Sequence, residues 1–365
     1  MDFKIASLPG DGVGPEVTGE TIKVLKAIGK KFNHNFTFEE GLIGGVAIDA
    51  TGSALTQETI NMCLGCSAVL LGAVGHPKFD DPQLKVRPED GLLALRKSLN
   101  LFANLRPVKV LDMLTDATSL KPEVIKGVDI MVVRELTGGL YFGQPKKRWQ
   151  EGNEEFAVDT MAYSTHEIER IARVGFELAR TRRKKLTSVD KANVLESSRL
   201  WRAVVTEMSK EYPDIELDHM LVDTCSMRLI QNPKYFDVFV TENTFGDILT
   251  DEASMLAGSM GMLPSASLSA VPRAGVKAYG MYEPIHGSAP KRAGQNKANP
   301  IATVLSGAML LRYSLALEKE AAAVEDAVMA VLNDGYGTYD IIEPGRKEVG
   351  TAEMGQLIID KIMKG

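Results

Sequence analysis

Two aspartates stand four residues apart in Asn243-Thr-Phe-Gly-Asp247-Ile-Leu-Thr-Asp251, just after the strand-like run Phe236-Asp-Val-Phe-Val240. On a helix that starts near Thr244, Asp247 and Asp251 share one face, one turn apart. Like charges at that spacing repel, so the helix gains nothing from them without a partner. A hard divalent cation such as Mg2+ or Mn2+ is the partner that carboxylate oxygens favour. Acids early in a helix also suit its macrodipole, so the pair alone leaves both readings open.

A second group is cationic. In Arg87-Pro-Glu89-Asp-Gly-Leu92-Leu93-Ala-Leu-Arg96, the residues Glu89, Leu92, Leu93 and Arg96 recur at i, i+3, i+4 and i+7, one helical face. Arg106 precedes a proline, and Arg134 closes the apolar run Val128-Asp-Ile-Met-Val-Val133. Guanidinium binds carboxylate bidentately, so three arginines in such settings suit a small dicarboxylate. Each of them alone reads as readily as a surface ion pair. Lys191 at the end of Thr187-Ser-Val-Asp190, and Tyr141 after Gly138-Gly139, are candidates for general base and acid.

These groups need a scaffold, and the chain alternates strand-like runs with amphipathic helices, the mark of α/β architecture. Lys4-Ile-Ala-Ser-Leu8 and Ala68-Val-Leu-Leu-Gly-Ala-Val74 read as buried strands, and 167–183 reads as a helix. Residues 298–331 read as two helices broken near Leu317. Residues 138–164 are polar, aromatic and poorly periodic, as expected of a surface excursion or an arm that pairs with another subunit. Gly10-Asp-Gly12-Val-Gly14-Pro15 sits between a strand and a helix, but one residue separates its last two glycines where the dinucleotide fingerprint needs two. A structural turn and a ligand loop fit it equally well.

Composition sets the limits. The 365 residues are 44% hydrophobic and 25% charged, with net charge -6, which suits a soluble protein with two cores. No basic or acidic tail points to nucleic acid, and no apolar run is long enough to span a membrane. The start of the chain lacks the pattern of a signal peptide. Cys63, Cys66 and Cys225 are too few for a disulfide framework, and Cys63-x-x-Cys66, with no second pair, reads as packing thiols. A cytoplasmic location is expected.

Read together, the motifs match a family. Gly10-Asp-Gly-Val-Gly-Pro-Glu16, Leu101-Phe-Ala-Asn-Leu-Arg-Pro107, Arg134-Glu-Leu-Thr-Gly-Gly139, Ser188-Val-Asp-Lys-Ala-Asn-Val-Leu195, Phe245-Gly-Asp-Ile-Leu-Thr-Asp251 and His286-Gly-Ser-Ala-Pro290 occur in order over nearly the whole chain. The chain closely resembles the β-decarboxylating dehydrogenases, and among them the isopropylmalate branch. The resemblance implies a non-Rossmann, two-domain α/β/α sandwich. One domain would comprise 1–100 and 260–365, with both termini and an adenosine-binding loop. The other would comprise 101–259, with the metal site and a dimer arm at about 136–165. It implies a homodimer whose active sites are shared between subunits. Asp247 and Asp251 would bind Mg2+ or Mn2+ together with Asp223 of the second subunit. Arg96, Arg106 and Arg134 would bind substrate carboxylates, and Tyr141 with the other subunit's Lys191 would move protons. The implied reaction is oxidation and decarboxylation of a 3-substituted malate with NAD or NADP, a step in leucine biosynthesis. Leu92 and Leu93, with Val194 of the second subunit, offer an apolar wall for an isopropyl group and would reject a third carboxylate. Glu89 would complete that helix face. The alternative is a relative acting on another 3-substituted malate.

The cofactor segment would include Glu283, His286, Gly287, Ser288, Ala289, Pro290 and Asn299. Here the chain departs from its relatives. Lys291 and Arg292 follow Pro290, where NAD-using members carry an Asp that accepts from ribose hydroxyls. Tyr339 and Arg228 are also unusual. Cations cannot accept those bonds but pair with a 2′-phosphate, so these residues are expected to converge at the adenosine end and favour NADP.

Overall fold

The computed structural model describes residues 1–81 and 83–365. Its longer strands in chain order are β1 (Asp2–Gly10), β2 (Asn35–Glu40), β3 (Ala68–Ala73), β4 (Ala103–Lys109), β5 (Asp129–Glu135), β6 (Lys147–Glu151), β7 (Glu154–Val158), β8 (Lys185–Asp190), β9 (Glu216–Leu221), β10 (Val238–Thr241), β11 (Pro264–Leu268) and β12 (Gly280–Pro284), and the two-residue strands Tyr336–Gly337 and Lys347–Glu348 pair with each other. Ten of them form one sheet in the order β2-β1-β3-β12-β11-β4-β5-β10-β8-β9, and β6 and β7 form a separate hairpin. The outer strands on both sides run parallel, as crossover helices require. At the middle β11 is antiparallel to both β12 and β4, and β4 is antiparallel to β5. β11 and β4 meet through the pairs Ala266–Leu105, Ser267–Asn104 and Leu268–Ala103.

The strands are apolar on both sides because both faces are covered. In β3, Ala68 and Leu70 enter a large core on one face, while Val69 and Leu71 enter another on the opposite face. In β10, Val238 and Val240 join that same large core, whereas Phe239 points into a third. One face of the sheet therefore carries a continuous core and the other carries two. The helix Pro88–Ser98 contributes Leu95 to one of these two cores, and the helix Asn243–Ser254 contributes Leu249 to the other.

Local starts and stops follow side-chain chemistry. The helix Thr165–Arg180 opens with a capping box: Ser164 Oγ accepts from the Glu167 amide, and the Glu167 carboxylate accepts from the Ser164 amide. Such a cap stabilises by about 1 kcal/mol. Residues 298–331 do form two helices, Ile301–Tyr313 and Glu318–Asn333. β10 begins two residues after the expected start, because Pro233–Tyr235 forms a short 3-10 turn that Phe236 closes.

The glycine cluster turns out to be structural. Gly12 has φ +59, and a Cβ there would lie 2.0 Å from the Ser288 carbonyl oxygen, which accepts from the Val13 amide at 2.8 Å. The close backbone approach at Gly12 is thus to the chain's own His286–Pro290 segment. Asp11 between the glycines accepts from the amides of Gly45, Val46 and Gly75 and so pins two other segments to its own turn. The three cysteines are buried and free.

Candidate active site

A cavity of about 410 Å³ brings Arg96, Arg106 and Arg134 together with Glu89, Leu92, Leu93, Tyr141 and Asp247. Its walls come from helices that belong to the two separate cores, so the site opens between them. Each guanidinium is held differently. Arg96 donates to Glu283 Oε1 at 2.8 Å, and its Nε has no acceptor although it is buried. Arg106 donates from Nε to Asn104 Oδ1 at 2.9 Å and from Nη1 to Thr250 Oγ1 at 2.6 Å. Arg134 donates from Nε and Nη2 to Asn243 Oδ1 and from Nη1 to Asp247. Burial, together with Arg134 and Arg96, pushes Arg106 down to about 10. Burial lowers Arg134 as well, against the opposing pull of Asp247. Three desolvated cations facing one another make a site that an anion with two carboxylates would relieve.

Asp247 and Asp251 lie on one helix as the spacing predicts, and each has a guanidinium beside it. Asp247 is ion-paired to Arg134 and accepts the Tyr141 hydroxyl at 2.6 Å. Asp251 lies 3.7 Å from Arg106, with its side chain 69% exposed. A guanidinium thus stands beside each aspartate. Glu242 explains why the helix starts there: its carboxylate accepts from the amides of Thr244 and Phe245. Burial opposes ionisation of Asp247, yet Arg134, Tyr141 and Arg106 hold it below the usual carboxylate range. Burial and the bond to Asp247 push Tyr141 up to about 12, so it stays protonated.

The fold keeps several expected residues away from this cavity. Lys191 donates to Asp223 Oδ1 at 2.9 Å, and neither lines the cavity. Val194 is 61% exposed. Among the described residues no three His, Cys, Asp or Glu side chains gather as a metal centre requires. Asp247 and Asp251 therefore supply two hard oxygen donors, a partial donor set for Mg2+ or Mn2+ that needs further ligands.

A neighbouring cavity of about 310 Å³ is lined by His286, Gly287, Ala289, Arg292, Asn299 and Tyr339, with Ser259 and Asp340. His286 and Gly287 line both cavities, so they form a shared wall. The Arg292 guanidinium stacks on the Tyr339 ring at 4.0 Å. Asn299 donates to Asp340 at 3.1 Å and caps the next helix by accepting from the Ile301 amide. Ser288 is buried against the glycine turn, and Pro290 and Lys291 continue away from it. Two expectations need correction within one chain. Lys291 is exposed and does not line this cavity. Arg228 stacks on Tyr235 at 4.2 Å and is not gathered with Arg292 and Tyr339. The helix Val222–Gln231 packs against the helix Asn243–Ser254, which keeps Arg228 in the half of the sheet that carries β10.

Some site residues escaped sequence reasoning. Asn104 orients Arg106 from two positions away on the same strand face, a period-2 signal that was available. Thr250, Asn243, Lys146 and Ser265 also contact or line the site. Their types are too common to single out without the fold.

The site and the mixed sheet together define a dehydrogenase class. Residues 4–358 match the model of the isocitrate/isopropylmalate dehydrogenase family, and the chain belongs to that family. It is 62% identical to the 3-isopropylmalate dehydrogenase of Dehalococcoides mccartyi strain ATCC BAA-2266, over 100% of both chains. It is 60% identical to the 3-isopropylmalate dehydrogenase of Priestia megaterium, over 98% of this chain and 95% of that one. The crystal structure of isocitrate dehydrogenase from Methylococcus capsulatus superposes with TM-score 0.85 at 33% identity, covering 99% of both chains. No helix among the described residues is long and apolar enough to cross a membrane.

Proposed function

We propose that this chain catalyses the oxidative decarboxylation of 3-isopropylmalate to 4-methyl-2-oxopentanoate and CO2, with reduction of NAD or NADP. The observation that carries the reading is the meeting of three buried arginines with Leu92 and Leu93 in one cavity. Arginines match the two carboxylates, and leucines match the branched apolar group that distinguishes this substrate from isocitrate. The 62% identity to a protein of that name supports the same substrate. Leucine biosynthesis is the corresponding role.

In this reading Arg96, Arg106 and Arg134 bind and orient the dianion. Asp247 and Asp251, with Asp223 of a second subunit, would hold Mg2+ or Mn2+. Such a cation supplies Lewis acidity, which acidifies a hydroxyl and stabilises developing oxyanion charge. Lys191 of the second subunit would take the proton from the substrate hydroxyl. Tyr141, protonated over the working range, returns a proton after CO2 departs. Leu92 and Leu93 keep water from the apolar group.

A homodimer is supported by where Lys191 and Asp223 stand. They lie outside their own cavity, and Met227 and Ile230, exposed at i+4 and i+7 from Asp223, form an apolar stripe beside it. Ile248 next to Asp247 is exposed in the same way. A second copy covering both helices would carry its own Asp223 and Lys191 towards the first copy's cavity, with the β6–β7 hairpin as the arm. Residues 1–100 with 260–365, and residues 101–259, act as two bodies that close on the substrate.

The dinucleotide would span the two cavities across His286 and Gly287. Arg292 on Tyr339 presents a cation there with no Asp acceptor at 291, which favours NADP. The test is kcat/KM for NAD and NADP with 3-isopropylmalate and Mg2+, and with isocitrate as competitor substrate. Strong turnover of 3-isopropylmalate is expected, with NADP preferred. A preference for NAD discards the phosphate reading, and turnover of isocitrate alone discards the substrate reading.

A further inference from the structure

Tyr163 does not line the substrate cavity, yet the groups it bonds hold Arg134, which does. Its hydroxyl lies 3.3 Å from Glu135 Oε2 and 3.3 Å from Glu242 Oε2. One proton is shared between two carboxylates, each nearly inaccessible to solvent. The same oxygen accepts from the Asn243 amide at 3.0 Å. Asn243 Oδ1 in turn receives Arg134 Nε at 3.1 Å and Nη2 at 2.8 Å, and Asn243 Nδ2 donates to the Gly138 carbonyl at 3.2 Å. Glu242 caps the helix that carries Asp247.

The ring has a second task. A Cβ on Gly138 would lie 2.7 Å from Tyr163 Cε1, and a Cβ on Gly139, where φ is +70, would lie 2.5 Å from the hydroxyl. The two glycines are therefore required by the tyrosine, and the turn they make leads directly into Tyr141. Trp201 holds the ring edge-on at 5.8 Å from the other side. Glu135 is fixed independently, by the Thr137 amide and hydroxyl and the Gly138 amide, each at 2.8 Å. The hydroxyl thus ties a rigid anchor to a helix start and to an arginine.

We propose that Tyr163 is a positioning residue for the reaction: its hydroxyl fixes Arg134 through Asn243, and its ring fixes the turn that aims Tyr141. This rests on the substrate and roles proposed above. The two arms are separable. Tyr163→Phe keeps the ring against Gly138 and Gly139 and removes the hydroxyl, so it releases the Asn243 amide and loosens Arg134. Tyr163→Leu removes the ring as well and frees the turn before Tyr141.

The experiment is steady-state kinetics of both variants with 3-isopropylmalate, beside a crystal structure of Tyr163→Phe. For Tyr163→Phe, KM for 3-isopropylmalate rises roughly tenfold, as loss of one oriented hydrogen bond predicts, while the nucleotide KM is unchanged. For Tyr163→Leu, kcat falls in addition. The Tyr163→Phe crystal structure shows Arg134 parted from Asn243. An unchanged substrate KM with the Arg134–Asn243 contact intact overturns the proposal, as does an equal fall in all parameters that tracks loss of folded protein. If Tyr163→Phe does not fold, Glu242→Gln weakens the same bridge while keeping an acceptor for the helix amides, and the same selective rise in KM is expected. If the parent enzyme fails to turn over 3-isopropylmalate, the substrate reading fails, and the crystal structure still decides whether Tyr163 positions Arg134.

Discussion

Arg96 and Glu283 form a buried ion pair at 2.8 Å, each side chain about a tenth exposed, in the lining of the substrate cavity. Glu283 is the carboxylate that faces Arg96 while Asp247 faces Arg134, and three guanidiniums share that space. Neutralising Glu283 leaves Arg96 buried without its counter-charge. Glu283→Gln is expected to destabilise the protein by about 3 kcal/mol in urea unfolding at pH 7. Added dicarboxylate restores part of the loss, because the ligand supplies the missing negative charge. Equal stability with and without ligand would refute this account.

Arg106 uses the planar spread of its guanidinium to reach Asn104 and Thr250 together. An ammonium is a point charge and cannot make both contacts in that geometry. Arg106→Lys is expected to lower kcat/KM for 3-isopropylmalate by roughly 100-fold, about 3 kcal/mol of lost transition-state binding. Steady-state kinetics with saturating nucleotide would measure it. A loss of only two- or threefold would mean that charge alone suffices at this position.

Leu92 and Leu93 set the apolar wall. Leu92→Ser removes two to three buried methyl or methylene contacts at about 0.8 kcal/mol each, so kcat/KM for 3-isopropylmalate falls at least tenfold or so. Malates with a smaller 3-substituent lose less. The comparison of the two substrates, rather than either value alone, is the readout, and an equal loss for both would remove Leu92 from substrate discrimination.

His219 lies in β9 with Nε2 2.9 Å from Thr206 Oγ1 and a buried Nδ1 that has no partner. Burial, then Arg202, lowers its pKa from 6.5. A histidine depressed in the folded state contributes stability that is fully present above pH 6.5 and lost as pH falls towards and through its folded pKa. Unfolding free energy should therefore decline from pH 7 to pH 5.5 more steeply in the parent than in His219→Asn. Parallel pH curves for the two proteins would exclude His219 as the source.

The α/β class was legible because buried strands and amphipathic helices carry different periods, and the motifs around Asp247, Arg106 and Arg134 announced the chemistry. Their partners were not. Arg96 seeks Glu283, far along the chain, and Asn243 joins Arg134 only because β10 lies beside β5. Tyr163 gave no signal at all: one tyrosine in an aperiodic stretch acquires its role from Gly138, Glu242 and Trp201, which local sequence cannot bring together. The glycine turn stayed open between two readings for a related reason. Close approach was readable, but whether to a ligand or to Ser288 depended on a loop nearly three hundred residues away, in sequence terms on the order of the whole domain length. The cations after Pro290 were visible, yet the turn Pro290–Arg292 gives Arg292 to the cavity and leaves Lys291 outside.

The strand order also dictates how the chain must be assembled during synthesis. β3 is made early, but its neighbour on one side is β12, which leaves the ribosome only after the whole of β4 to β11 has emerged. Until then the open side of β3 is an unpaired, apolar edge, of the kind that invites pairing with another chain. β4, β5, β10, β8 and β9, which neighbour one another in the sheet, are all synthesised before β12. The amino-terminal strands therefore keep one unpaired edge until Gly280–Pro284 has been synthesised.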